Sequence, residues 1–180
     1  MVRVLPLDPA RLSEAQRRVV DEVRAGRRGT VPANVVAWLP SPELARRAAA
    51  LGEFVRYDTS LGSRLSELAI LVVARHWACA YEWAVHAAAA AAAGIAPDVI
   101  DAIARGAVPR LDDREAAVYD FARVLVASGR VPDAAYERAV EMLGEAGVVD
   151  LIGVVGYYTL VAFTLNAREV PAPDGAPQLP

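Results

Sequence analysis

Residues 64–94 read RLSELAILVVARHWACAYEWAVHAAAAAAAG. Nothing in this stretch alternates as a strand does. Alanine, leucine and charges at helical spacing predict helix, closed by Gly94. Read as a single helix, it turns about 100° per residue. With Cys79 at zero, Arg75, Glu82 and His86 fall at about −40°, −60° and −20°. A guanidinium, a thiol, a carboxylate and an imidazole then share one stripe. His76, at about 60°, points away and reads as structural or exposed.

Glu67 is a possible fifth member. On one straight helix, its separation from Cys79 is about 18 Å. Glu67 therefore joins only if the chain breaks near Arg75–Ala78 and folds back, or if a neighbouring subunit is involved. A break there would put Cys79 near a helix N-terminus, where a thiol's pKa drops. Each residue also has a plainer reading. A lone cysteine among alanines is usually a small core hydrophobe. Glu82 and His86 form an i,i+4 pair that supports a helix. Glu67 suits the positive end of its helix, and Arg75 can snorkel to the surface. Tyr81 and Trp83 either pack or wall a pocket.

The rest of the chain is helical too. A first helix is expected from about Pro9 to Arg24, then a proline-studded loop, TVPANVVAWLPSP. Ser41 is expected to cap a helix with Pro42 at its first position. DTSLGSR is the next break. After Gly94, Pro97 opens a short helix. DDREAAVYDFARVLVASG carries acids in its first turn and glycine past its end. PDAAYERAVEMLG is another helix, and a last one starts near Gly147. The tail from about residue 170 is proline-rich and reads as extended or frayed. The 180 residues read as one domain.

A net charge of −3, with acids interleaved among Arg17, Arg18, Arg24, Arg27 and Arg28, argues against a nucleic-acid surface. One cysteine excludes an intrachain disulfide and any C-x-x-C redox or zinc motif. Two histidines ten residues apart give no metal-binding pair, and neither a G-x-S-x-G elbow nor a phosphate loop is present. No metal or other cofactor is expected. The most apolar run, Leu151–Leu165, is shorter than the ~20 residues of a bilayer span, and no secretory h-region opens the chain. A soluble, cytoplasmic protein is the expectation, with surplus apolar surface that suits a subunit interface.

Three stretches carry a resemblance: SPELARRAAALGEFVRYDTSL, residues 64–94, and GVVDLIGVVGYYTLVAFTLNAREVPAP. Together they resemble the carboxymuconolactone decarboxylase family, which also holds the alkylhydroperoxidase D proteins, over roughly residues 40–173. The resemblance implies an all-α, alkylhydroperoxidase D-like fold. It also implies homo-oligomers, commonly trimers or hexamers, with active sites near subunit contacts. The peroxidase branch carries C-x-x-C-x-x-x-H with a glutamate 12 residues before the first cysteine. Glu67, Cys79 and His86 match that pattern, but Glu82 stands at the second cysteine. The disulfide that regenerates the thiolate needs a resolving thiol, so a dithiol cycle within one subunit is excluded. The decarboxylase branch instead carries a glutamate four residues before the histidine, as in YEWAVH.

The leading expectation is a cofactor-free decarboxylase acting on a small carboxylated lactone or related ring acid. His86 would supply the proton, since imidazoles titrate near 6.5, and Glu82 would orient it. Glu67 would add a second acid/base group. Arg75 would hold a carboxylate, with Tyr81 and Trp83 as pocket walls. Two alternatives stand beside it: a single-cysteine peroxidase using an external thiol, and a non-catalytic helical oligomer.

Overall fold

The computed structural model describes Arg3 and residues 7–180. Among these residues there is no strand. After one 3₁₀ turn, Pro9–Arg11, come α1 (Glu14–Ala25), α2 (Ala33–Trp38), α3 (Pro42–Tyr57) and α4 (Gly62–His76). They are followed by α5 (Ala80–Ala92), α6 (Pro97–Ala104), α7 (Asp113–Ser128) and α8 (Asp133–Ala167).

The centre of the fold is α4. Every residue from Leu65 to Ala74 is buried, and the helix packs against α5, α7 and α8. Leu68, Ile70, Leu71 and Val73 meet Phe121 and Val118 of α7 and Val148, Leu151 and Val154 of α8 in one core. Each such side chain contributes roughly 1.5–3 kcal/mol by leaving water. The element α8 has left-handed backbone at Gly144 (φ 72°), so it is two helices joined at a kink. By length and composition it is long and apolar enough to cross a membrane. Half of its most apolar window is nonetheless buried inside the fold, as in a core helix.

Several expectations need correction. The first α-helix begins at Glu14 because Ser13 and Gln16 form a reciprocal cap. Residues 33–38, expected as loop, form α2 directly after Pro32. Ser41 precedes α3 without making a side-chain cap bond. The long helix over 64–94 is in fact two.

The division lies at Trp77–Cys79. Ala78 takes left-handed backbone (φ 48°), its N–H bonds Arg75 O at 3.2 Å, and the Cys79 N–H bonds Ala74 O at 2.9 Å. These are the paired bonds of a Schellman ending, with alanine at the position where glycine is usual. Left-handed alanine costs about 1–2 kcal/mol, and α8 supplies contacts that hold it. Asn166 donates to Trp77 O at 2.8 Å. The Trp77 indole donates to Thr159 Oγ1 at 3.3 Å and stacks edge-on against Phe163.

Candidate functional site

Because the chain reverses at Ala78, α5 runs back along α4 and brings His86 to Glu67. His86 Nδ1 and Glu67 Oε2 are 2.7 Å apart, and both residues are buried. The bond uses one ring nitrogen and leaves Nε2 for a guest. Tyr158 stacks edge-on against the imidazole at 4.9 Å and fixes its plane.

Glu82 is only 2% exposed, and among the described residues neither carboxylate oxygen has a hydrogen-bond partner. Burial alone raises its carboxyl pKa well above the ordinary value. An ionised carboxylate in that position would be unsolvated, which favours the protonated form. Glu82 and Glu67 have exchanged the parts expected of them. Glu67 orients the imidazole, while Glu82, one helical turn from His86, makes no bond to it.

Tyr81, Glu82, Val85 and His86 line a cavity of about 70 Å³. Its other walls are Tyr157, Tyr158, Val161 and Leu165 from α8, Arg56 from α3, and Arg28, Pro32 and Asn34 from around α2. The Tyr157 hydroxyl sits against α3 because Gly52 has no side chain. A Cβ there would lie 2.0 Å from it. Arg28 Nη2 donates to the same Gly52 carbonyl at 2.8 Å. Larger hollows of about 320 and 390 Å³ lie against the N-terminal segment and between α1 and α3. Neither is lined by a buried acid without a partner, so the small cavity is the candidate site.

Three sequence expectations fail on geometry. Arg75 lies before the helix break, so it does not continue the stripe of α5. Its Nε donates to Ala104 O at 2.8 Å, and its side chain borders a separate hollow with His76 and Arg123. Trp83 is 2% exposed and belongs to the core rather than the cavity wall. Cys79 does sit at the N-cap of α5, but the expected pKa depression is reversed. Its thiol is fully buried and is pushed up to about 12, by burial first and then by Glu82. The backbone N–H groups of Glu82 and Tyr81 oppose this and do not overcome it. His76 is exposed, as expected.

Sequence reasoning passed over Arg28, Asn34, Arg56, Tyr157 and Tyr158. The two tyrosines had a signal, as adjacent aromatics with polar tips inside the apolar run 151–165. The arginines had none, because nothing local separates them from the other basic residues.

Residues 42–124, which carry α3, the reversed α4–α5 pair and α6, match the model of the carboxymuconolactone decarboxylase family. Over that span, somewhat under half of the chain, it is similar to the carboxymuconolactone decarboxylase family. Among solved structures, it is similar to a peroxidase-related protein from Ralstonia eutropha JMP134, described as an alkylhydroperoxidase AhpD core. That likeness has a TM-score of 0.77 and 22% identity, covering 96% of this chain and 93% of the other. A peroxidase-related protein from Silicibacter sp. TM1040 gives 0.75 at 20% identity, covering 96% and 92%. The debrominase Bmp8, in a variant bound to 2,3,4-tribromopyrrole, gives 0.73 at 12% identity, covering 97% and 92%. These likenesses establish an AhpD-like helical fold. No curated protein matches the chain.

Proposed function

We propose that this chain is a cofactor-free acid/base enzyme of the decarboxylase type, acting on a small carboxylated lactone or related ring acid. The observation that carries the reading is the Glu82 carboxyl, buried without a partner in the cavity that His86 also lines. In the reaction, the bond to the leaving carboxylate breaks and its electron pair moves into the ring carbonyl, forming an enolate as carbon dioxide departs. Neutral Glu82 donates a hydrogen bond to the enolate oxygen, the role a carboxylic acid gains when its site keeps it protonated. His86, held by Glu67, gives a proton from Nε2 to the carbon that lost carbon dioxide, and solvent returns it. The apolar Val85, Val161 and Leu165 walls keep bulk water from the leaving group.

The buried thiol weighs against the peroxidase alternative, since the thiolate is the nucleophile. A cavity reaching His86 weighs against a non-catalytic role. Carbon dioxide release from candidate lactone acids and peroxide consumption, assayed in parallel on wild type and Cys79→Ser, tests the reading. Carbon dioxide release should stay within about threefold in the variant, as expected for a residue outside the chemistry. Peroxide consumption that vanishes with Cys79, without any carbon dioxide release, would refute it.

Self-association belongs to the same proposal. Val149, Ile152, Leu160 and Phe163 expose an apolar stripe along α8, and Leu44, Leu51 and Phe54 do so on α3. A second copy would cover these faces. Light scattering should give a multiple of 19.1 kDa, and a monomer's mass would contradict it.

A further inference from the structure

A second hollow lies against α4, on a different side of the helix from Glu67. It holds about 300 Å³, at the lower end of small-molecule pockets. Among the described residues, it shares no lining side chain with the cavity at His86. Val72, Arg75 and His76 line it from the last turns of α4, and Tyr119, Arg123 and Val126 from α7. Each set has helical spacing and so presents one face. Val72 and His76 lie about 140° and 180° round α4 from Glu67. Ile103 and Gly106, at and just past the end of α6, close the third side.

Two guanidinium groups meet this hollow with little to neutralise them. Arg75 donates from Nε to Ala104 O at 2.8 Å, which answers a carbonyl at the end of α6. Among the described residues, its two Nη atoms have no partner and it forms no ion pair. Gly106 has left-handed backbone (φ 69°), and a Cβ there would lie 3.5 Å from Arg75 Nη2. The missing side chain keeps that edge of the guanidinium open. Arg123 has Asp120 at 3.9 Å, with the side chains 56% and 47% exposed, a pairing of small worth. The Tyr119 ring is buried, and the charges of Arg123 and Asp120 both reach its hydroxyl.

We propose that this hollow binds a small organic anion, its carboxylate held by Arg75 and Arg123 and its apolar body resting on Val72, Ile103 and Val126. Guanidinium groups offer paired N–H donors that match a carboxylate. The carbonyl bond already fixes Arg75, so less side-chain freedom is lost on binding. The apolar floor rewards a guest with a hydrocarbon body over a bare anion. This site is independent of the chemistry proposed at His86.

Methyl-observed NMR titration tests the site, because Val72, Ile103 and Val126 report on this hollow and Val161 and Leu165 on the cavity at His86. Benzoate, benzamide and acetate are the probes: the amide lacks the charge and acetate lacks the ring. Benzoate should shift the first three signals saturably and bind about fivefold tighter than either other probe, a margin within reach of an exposed charge pair or a buried ring. Arg123→Glu reverses an exposed charge on α7, so the fold should hold. Benzoate affinity read at those three signals should then fall by about tenfold. Arg75→Gln should weaken it likewise, and thermal melts report whether each variant is folded; should Arg75→Gln unfold, Arg123→Glu decides alone. No saturable benzoate shift at the three signals, benzamide or acetate binding as tightly, or undiminished affinity in folded Arg123→Glu would overturn the proposal.

Discussion

Replacing His86 with glutamine should lower carbon dioxide release by about 10²–10⁴-fold, the usual contribution of a positioned proton donor. Glutamine can keep a hydrogen bond to Glu67 across the 2.7 Å contact and fills similar space, so the fold should survive. It has no group that delivers a proton near neutral pH. Glu67→Gln should fall between this variant and wild type. It preserves the shape of the pair but removes the carboxylate oxygen that pairs with Nδ1 and so fixes the orientation of the ring. The decisive measurement is kcat for both variants beside their thermal melts. A folded His86→Gln protein at wild-type rate would remove His86 from the chemistry.

The fold class was legible because helical periodicity dominates a chain rich in alanine and leucine. The junction that builds the site was much less so. Helices usually announce their ends with glycine or proline, as Gly94 and Gly129 do here with left-handed backbone. Ala78 adopts the same conformation without being glycine. The contacts that hold it, from Thr159, Phe163 and Asn166, lie some eighty residues away. Local propensity carries no trace of such contacts. Sequence reasoning could state the condition under which Glu67 meets the cluster, a break near Arg75–Ala78, but could not decide it.

The same break explains why Arg75 was misplaced: a stripe computed on one helix has no meaning across a reversal. Cys79 fails for a different reason. Its helix N-terminus was foreseeable, whereas its complete burial among α4, α5 and the rest of the core is a tertiary outcome. Desolvation then outweighs the helix end. Arg28 and Arg56 reach the cavity from segments far apart in sequence. Only the packing of α3 against α8, with the Tyr157 hydroxyl set on Gly52, reveals them.

Glu82 offers the other large effect, on stability as well as rate. Its carboxyl pKa is raised in the folded protein by burial. Below the ordinary carboxylate pKa, near 4.3, the group is neutral in both folded and unfolded chains and its contribution to stability is fully present. As pH rises from there, the unfolded chain ionises while the native protein keeps its proton. Stability is therefore lost by up to about 1.4 kcal/mol per pH unit until the folded pKa is passed. Glu82→Gln has the same shape and no titration. Urea denaturation of the two proteins at pH 5, 6.5 and 8 should show the variant gaining on wild type at each step. Its amide still offers an N–H to an enolate oxygen, so kcat should fall only modestly, by about tenfold. Glu82→Leu removes the donor altogether and should lose about 10²–10³-fold, as oxyanion donors do. A stability gap that stays flat with pH would mean that Glu82 ionises freely in the folded protein. The neutral acid on which the proposed chemistry depends would then not exist.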